Sequence, residues 1–239
     1  MPKFDVTKLN VAIDRLLETT ANRRHRFLLM ACSRLRYLRV AGRYEETFAH
    51  DMMVMDPHFH FSQGGDDIEL SGQDKIKSLC SVWARTNQNI FFIESEEVAV
   101  ADHFVCSVVT FYQQVSGKLL KQRKVLSTLP GWAELAPHSS AISRFIIEKA
   151  LSAEGFKADD NDTYLYKMVP MQMVWRYDEQ GKLLGQSQWE PEPTKAEIIK
   201  IAPADVVTTE ESAKLLAPFI KPLPSYDEFV SGKELGATA

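Results

Sequence analysis

Apolar residues in the first fifty positions recur every three or four places. Leu9, Ala12, Ile13, Leu16 and Leu17 fall on one helical face, and Asp5 or Thr7 can cap the start. The stretch RFLLMACSRLRYLRVAG carries a denser apolar set and ends at Gly42, a natural helix stop. RYEETFAHD predicts a short third helix with Tyr44 and Phe48 one turn apart. The period then shifts to two. MMVMDPHFHFS, followed by Gly64-Gly65-Asp66-Asp67 and IEL, predicts a hairpin. SGQDKIKSLCSVWARTN returns to helical spacing, with Ser71 as its expected cap and Asp74 near the positive end of its dipole. NIFFIESEEVAVADHFVCSVVTFYQQVSGKLL predicts two strands turning near residues 101–103, with a further turn at Ser116-Gly117.

Residues 121–163 break this rhythm. KVLSTLPGWAELAPHSS holds two prolines and a glycine, SAISRFIIEKALSAEGF has helical spacing, and ADDNDT is a polar loop. A segment this long and structured is an insertion, expected to act as a lid or a subunit contact, with Trp132 and His138 as its notable side chains. Strands resume in YLYKMVPMQMVWRYDEQGKLLGQSQWE, where Asp178-Glu179-Gln180-Gly181 is a hairpin turn and Pro170 marks a bulge or an edge. Six of the eleven prolines lie from Pro191 onward, so residues 191–239 read as an extension and not as more sheet. Thr208 and Glu211 form a capping-box pattern within it.

Composition narrows the class. The chain has 239 residues, enough to bury one large core, and its 45% apolar and 25% charged content is ordinary for a globular protein. The formal net charge of −4 offers no basic field for nucleic acid. Cys32, Cys80 and Cys106 form no CxxC pair, which argues against a zinc ribbon or a disulfide framework. MPKFDVTKLN lacks the apolar run of a signal peptide, and no stretch approaches the roughly 18 apolar residues of a membrane span. The expectation is a cytoplasmic α+β protein. Residues 1–190 would form one domain, and 191–239 would pack on it or on a neighbouring subunit.

The order of helices, hairpin, helix and four strands with a DxxG turn before the last resembles the nuclear transport factor 2-like superfamily, in its SnoaL-like and scytalone dehydratase-like branch. Three pieces carry the resemblance: GRYEETFAHDMMVM, LSGQDKIKSLCSVW and MVWRYDEQGKLLGQSQWE. It covers roughly residues 25–120 and 164–190. It implies a cone-shaped cup, a curved antiparallel sheet closed by the N-terminal helices, often holding an apolar ligand. Enzymes of the branch work with side chains alone, so no cofactor and no metal are implied. Members are often homodimers or homotrimers. The insertion and the wrapped tail are also similar in layout to bacterial diarylpropane lyases, which release formaldehyde from lignin-derived diaryl compounds. One departure matters. Dehydratases of the branch carry a Tyr and an Asp five apart on the second helix, where this chain has Leu35 and Val40 or Ala41. Tyr37 substitutes only if the helix is rotated.

Candidate chemistry centres on Asp56-Pro57-His58-Phe59-His60. Residues two apart on a strand share a face, so Asp56, His58 and His60 would project together, with Met55, Phe59 and Phe61 opposite. A carboxylate beside imidazoles is equipment for acid/base chemistry near neutral pH. The other readings are a solvent or subunit face, or a metal held by His-x-His with a third ligand from Asp56, His138 or another strand. Arg36 and Arg39 can hold a phenolate or carboxylate, although a solvated helix face is the plainer reading. Tyr112, Gln172, Trp175, Gln186 and His138 are the candidates for substrate contact. Together with the resemblance, these residues imply a cofactor-independent lyase on a phenolic diaryl compound, with His60 as acid/base, His58 or Tyr37 assisting, and Arg36 or Arg39 stabilising the oxyanion. A dehydratase or isomerase of a polycyclic substrate, and a non-catalytic binding or assembly module, stand as alternatives.

Overall fold

The structure is a computed structural model that describes residues 4–63, 66–121, 155 and 159–232. The expected insertion helix, Trp132 and His138 lie outside the described residues. A 3-10 turn at Val6–Lys8, capped by Asp5, leads into α1 (Val11–Thr19) and α2 (Arg23–Val40). The chain leaves α2 through Gly42 at φ 69°, a conformation that favours glycine. The expected third helix is a 3-10 turn, Tyr44–Phe48. β1 (Met53–Gln63) and β2 (Asp66–Ser71) form the expected hairpin. α3 (Gln73–Arg85) follows, with Gly72 and not Ser71 at its N-cap; the Ser71 hydroxyl lies 2.9 Å from His58 Nδ1 instead.

β3 (Phe91–Ala101) and β4 (Phe104–Ser116) run antiparallel, and α4 (Gly117–Lys121) closes that run. β5 (Thr163–Tyr177) and β6 (Leu183–Trp189) flank the Asp178 turn, where the Asp178 carboxylate accepts the backbone N–H groups of Gln180 and Lys182. β7 (Glu197–Lys200), α5 (Thr209–Leu216) and α6 (Tyr226–Ser231) make up the extension.

The seven strands form one α+β sheet in the order β2-β1-β6-β5-β4-β3, with β7 on β5. It is mixed, not the wholly antiparallel sheet that the resemblance implied: β1 and β6 run parallel. α3, β3, β4 and β5 separate them in sequence, so no hairpin dictates their direction. β5 takes two partners along one edge, β7 at residues 164–167 and β6 at 172–177. Pro170 falls in the gap between them, where its missing N–H costs no ladder bond on that edge, and the β4 register shifts opposite it.

α2 is buried on several sides because the sheet, α1 and both extension helices pack around it. Phe27, Leu28, Leu29, Leu35 and Leu38 enter the core with Phe59, Phe61 and Leu79 from β1 and α3. The described part of the extension packs on its own chain: the Ser212 hydroxyl donates to Val40 O at 2.9 Å, and Gln114 Nε2 donates to Val207 O at 2.9 Å. Among the described residues, no helix is long and apolar enough to cross a membrane.

Candidate functional site

A cavity lies between α2 and α3 on one side and β1, β3, β4, β5 and β6 on the other. Strand alternation points Phe61, Phe91, Phe111, Met173 and Trp175 into it, and the apolar stripe of α3 adds Trp83. Four of these rings form a T-shaped series: Phe61 to Trp83 at 5.9 Å, Trp83 to Phe91 at 6.5 Å, and Phe91 to Phe111 at 5.5 Å. The wall is therefore a run of aromatic edges and faces suited to a flat apolar body.

Polar groups converge on this wall from α2. Arg36 is paired with a carboxylate: its Nη1 donates to Glu96 Oε1 at 2.9 Å, and its Nη2 to Glu96 Oε2 at 3.2 Å and Leu9 O at 2.7 Å. The guanidinium lies 5.8 Å from the Trp175 ring centre. Only 2% of the Glu96 side chain is exposed, so this pair is closed to solvent.

Arg39, one turn further along, is treated differently. Its Nη1 donates to the Gln186 side-chain carbonyl, and its Cζ stands 4.9 Å from the Phe59 ring centre. Among the described residues its Nε and Nη2 have no hydrogen-bond partner, and both are shut off from water. Burial holds the Arg39 pKa below the usual guanidinium value, and the titratable side chains that offset this among the described residues are Cys80, Tyr177 and Cys32, none of them a carboxylate. Burial also pushes the Cys32 thiol up to about 12 and raises Cys80, so both are neutral neighbours.

Behind Gln186 stand three more buried amides. Gln186 Nε2 donates to Gln188 Oε1 at 3.3 Å, Gln188 Nε2 to Gln63 Oε1 at 2.6 Å, Gln63 Nε2 to Gln113 Oε1 at 3.0 Å, and Gln113 Nε2 to Gln88 O at 2.9 Å. Every amide in the series turns its carbonyl towards the Arg39 side. The indole N–H groups of Trp83 and Trp175 also have no partner among the described residues. The cavity thus holds more donors than acceptors.

Of the residues singled out from sequence, Arg36, Arg39, Trp175 and Gln186 line this cavity. The others do not. Tyr37 is buried against Phe219, with ring centres 5.6 Å apart, and burial raises its hydroxyl pKa. Tyr112 packs on Phe4 in a different cluster. Asp56 is exposed and lies outside the cavity wall.

The assignment of His58 and His60 to the site needs correction. Phe59 and Phe61 are 1% and 2% exposed, and they take the inner face of β1, so the histidines between them face away. The register confirms this. His58 aligns with Gly185, Arg176 and Phe104, while Ser62 aligns with Trp189, Gln172 and Val108, all along the far face of the sheet. Gln172 is on that face too. There His60 Nε2 meets Asp67 Oδ1 at 2.6 Å across the hairpin. Met55, expected beside the two phenylalanines, is 77% exposed because the β1 register shifts between Met53 and His58. Among the described residues no three His, Cys, Asp or Glu side chains gather as a metal site.

Sequence reasoning missed Glu96, Gln188, Asn89 and Trp83 as cavity residues. The Gln186-x-Gln188 spacing was the available signal for one of them, since both amides must share a strand face. No protein-family model matches the chain, and no curated protein matches it in sequence.

Proposed function

We propose that the chain binds a flat, apolar, aromatic small molecule in the cavity between α2, α3 and the sheet. One observation carries this reading: a continuous aromatic wall borders Arg39, whose buried Nε and Nη2 have no carboxylate partner among the described residues. The observed element order, helices, hairpin, helix and then strands, is the order that suggested a nuclear transport factor 2-like cone closed by its N-terminal helices, and it supports that finer reading of the fold. Titration calorimetry with substituted stilbenes and diaryl compounds tests the binding. Micromolar affinity is expected for wild type, with a loss of at least tenfold, about 1.4 kcal/mol, in Trp175→Ala. No measurable binding of any compound in the panel sinks the proposal.

Turnover is a second reading, favoured by the presence of Glu96 inside the cavity. A cofactor-independent lyase on a phenolic diaryl compound would deprotonate the phenol and expel the benzylic hydroxyl as water. The hydroxymethyl group of the resulting quinone methide would then give up its O–H proton, its C–C bond would break to release formaldehyde, and that electron pair would restore the aromatic phenolate, which takes up the proton and leaves a stilbene. Glu96, aligned by Arg36, would hold the proton that His60 cannot reach. A colorimetric formaldehyde assay decides it: steady release that is lost in Glu96→Gln is expected, and release unchanged in that variant removes the assignment. We also propose that the exposed far face, where Val108 and Trp189 align across β4, β5 and β6, joins copies into a homodimer or homotrimer.

A further inference from the structure

The cavity contains a contrast that general apolar binding does not explain. Arg36 and Arg39 lie one turn apart on the same face of α2, and both line the same space. Arg36 is neutralised by Glu96. Arg39 receives only an amide oxygen, and its Nε and Nη2 are left without partners among the described residues. A buried charge without a counter-charge is destabilising, and buried donors left unsatisfied add to that.

The glutamine series shows how the cost is moderated without being cancelled. Gln186, Gln188, Gln63 and Gln113 pass hydrogen bonds outward from Arg39 to the Gln88 carbonyl. Their aligned amide dipoles set partial negative charge against the guanidinium, yet they add no net charge. A glutamate in place of Gln186, the amide in contact, would quench Arg39. Amides hold it in place and leave it positive.

We propose that the ligand of this cavity is an aromatic carboxylic acid, and that Arg39 receives its carboxylate. This rests on the reading of the cavity as an aromatic binding site and names the class of ligand within it. Nε and Nη2 are the two N–H groups on one edge of a guanidinium, the edge that matches two carboxylate oxygens in parallel. A phenolate offers one oxygen. A carboxylate is also ionised at neutral pH, whereas a phenol starts near pKa 10 and has to be ionised against that value. Presenting this edge requires the guanidinium to turn about its Gln186 bond, since both donors are closed to water. The indole N–H groups of Trp83 and Trp175 are further donors on the same wall.

The test uses three matched compounds on the full chain by titration calorimetry near neutral pH: trans-stilbene-4-carboxylate, trans-stilbene-4-carboxamide and 4-hydroxystilbene. The carboxylate is expected to bind about tenfold or more tightly than either of the others. Its advantage should fade as pH falls through its own acid pKa. In Arg39→Met the ratio of acid to amide affinity should fall to about one. Gln186→Glu gives an independent answer should Arg39→Met fail to fold. It sets a carboxylate on Arg39, and the preference for the acid should disappear while thermal stability rises. Equal binding of acid and amide by wild type overturns the inference and leaves the aromatic site standing. So does an acid preference that survives Gln186→Glu. Failure of all three compounds to bind overturns the aromatic site and the inference together.

Discussion

At the level of single residues, local alternation and burial decide most of what matters, and the cysteines show it in a measurable way. Cys32 and Cys80 are buried beside Arg39, and burial raises both thiols, Cys32 to about 12. Cys106 lies half-buried on β4. Thiolate is the reactive form. Iodoacetamide at pH 8 should therefore label Cys106 first in the native chain, with Cys32 and Cys80 modified only after unfolding; mass-mapped labelling of Cys32 at a comparable rate would contradict the burial argument. The sign for stability follows. The native state keeps the Cys32 proton to about pH 12, while the unfolded chain releases it near roughly 8.5, so this group costs stability progressively above the lower value. Arg36, Arg39, Trp175 and Gln186 were legible in sequence because aromatic strands and an arginine-rich helix had to meet somewhere. His58 and His60 were half legible. Their common face followed from spacing, but their direction was set by Phe59 and Phe61, whose need for burial outweighed the chemical interest of the imidazoles.

At the level of elements, the start of α5 ties the extension to the cavity. Thr209 N donates to Asn87 Oδ1 at 2.8 Å, and Thr209 Oγ1 lies 2.7 Å from Ala84 O and 2.8 Å from Asn89 Oδ1. Asn89 lines the cavity and donates through Nδ2 to Val40 O at 2.8 Å. A tail helix, the α3–β3 loop and the end of α2 are thus held through one hydroxyl and two amides. Thr209→Val keeps the shape and removes the hydroxyl, leaving buried acceptors unmatched, and should cost about 1–3 kcal/mol. Thr208→Ala, which removes the observed capping box with Glu211, should cost about 1 kcal/mol. Urea unfolding midpoints check both; equal costs would mean that Thr209 acts only through the helix cap. The Thr208–Glu211 box was readable because capping is local. The Ser71 cap failed because that hydroxyl has a cross-strand partner in His58, a contact no window of local sequence contains.

At the level of the whole molecule, the features that sequence did not reveal are the non-local ones. Period and turn residues announce a hairpin, and β1–β2, β3–β4 and β5–β6 were all legible for that reason. Nothing local announces that β1 lies parallel to β6, or that β5 divides one edge between β6 and β7. That long-range pairing creates the two unlike faces of the sheet. One closes on the cavity. The other carries Phe104 at 41%, Val108 at 49% and Trp189 at 52% exposure, with Val108 and Trp189 in register through Gln172. Large apolar side chains exposed on one sheet face favour association, and a symmetric contact between identical faces is the simplest way to cover them. Sedimentation velocity of the full chain should give a dimer or trimer. Val108→Glu with Trp189→Arg should shift it to monomer without loss of fold, because both side chains are already solvent-facing and contribute little to the core. The same double variant should keep ligand affinity within about twofold of wild type, since every cavity residue lies on the opposite face. A wild-type monomer at tens of micromolar concentration would exclude this face as an interface, and a large loss of affinity in the double variant would show that the two faces are coupled through the strands they share.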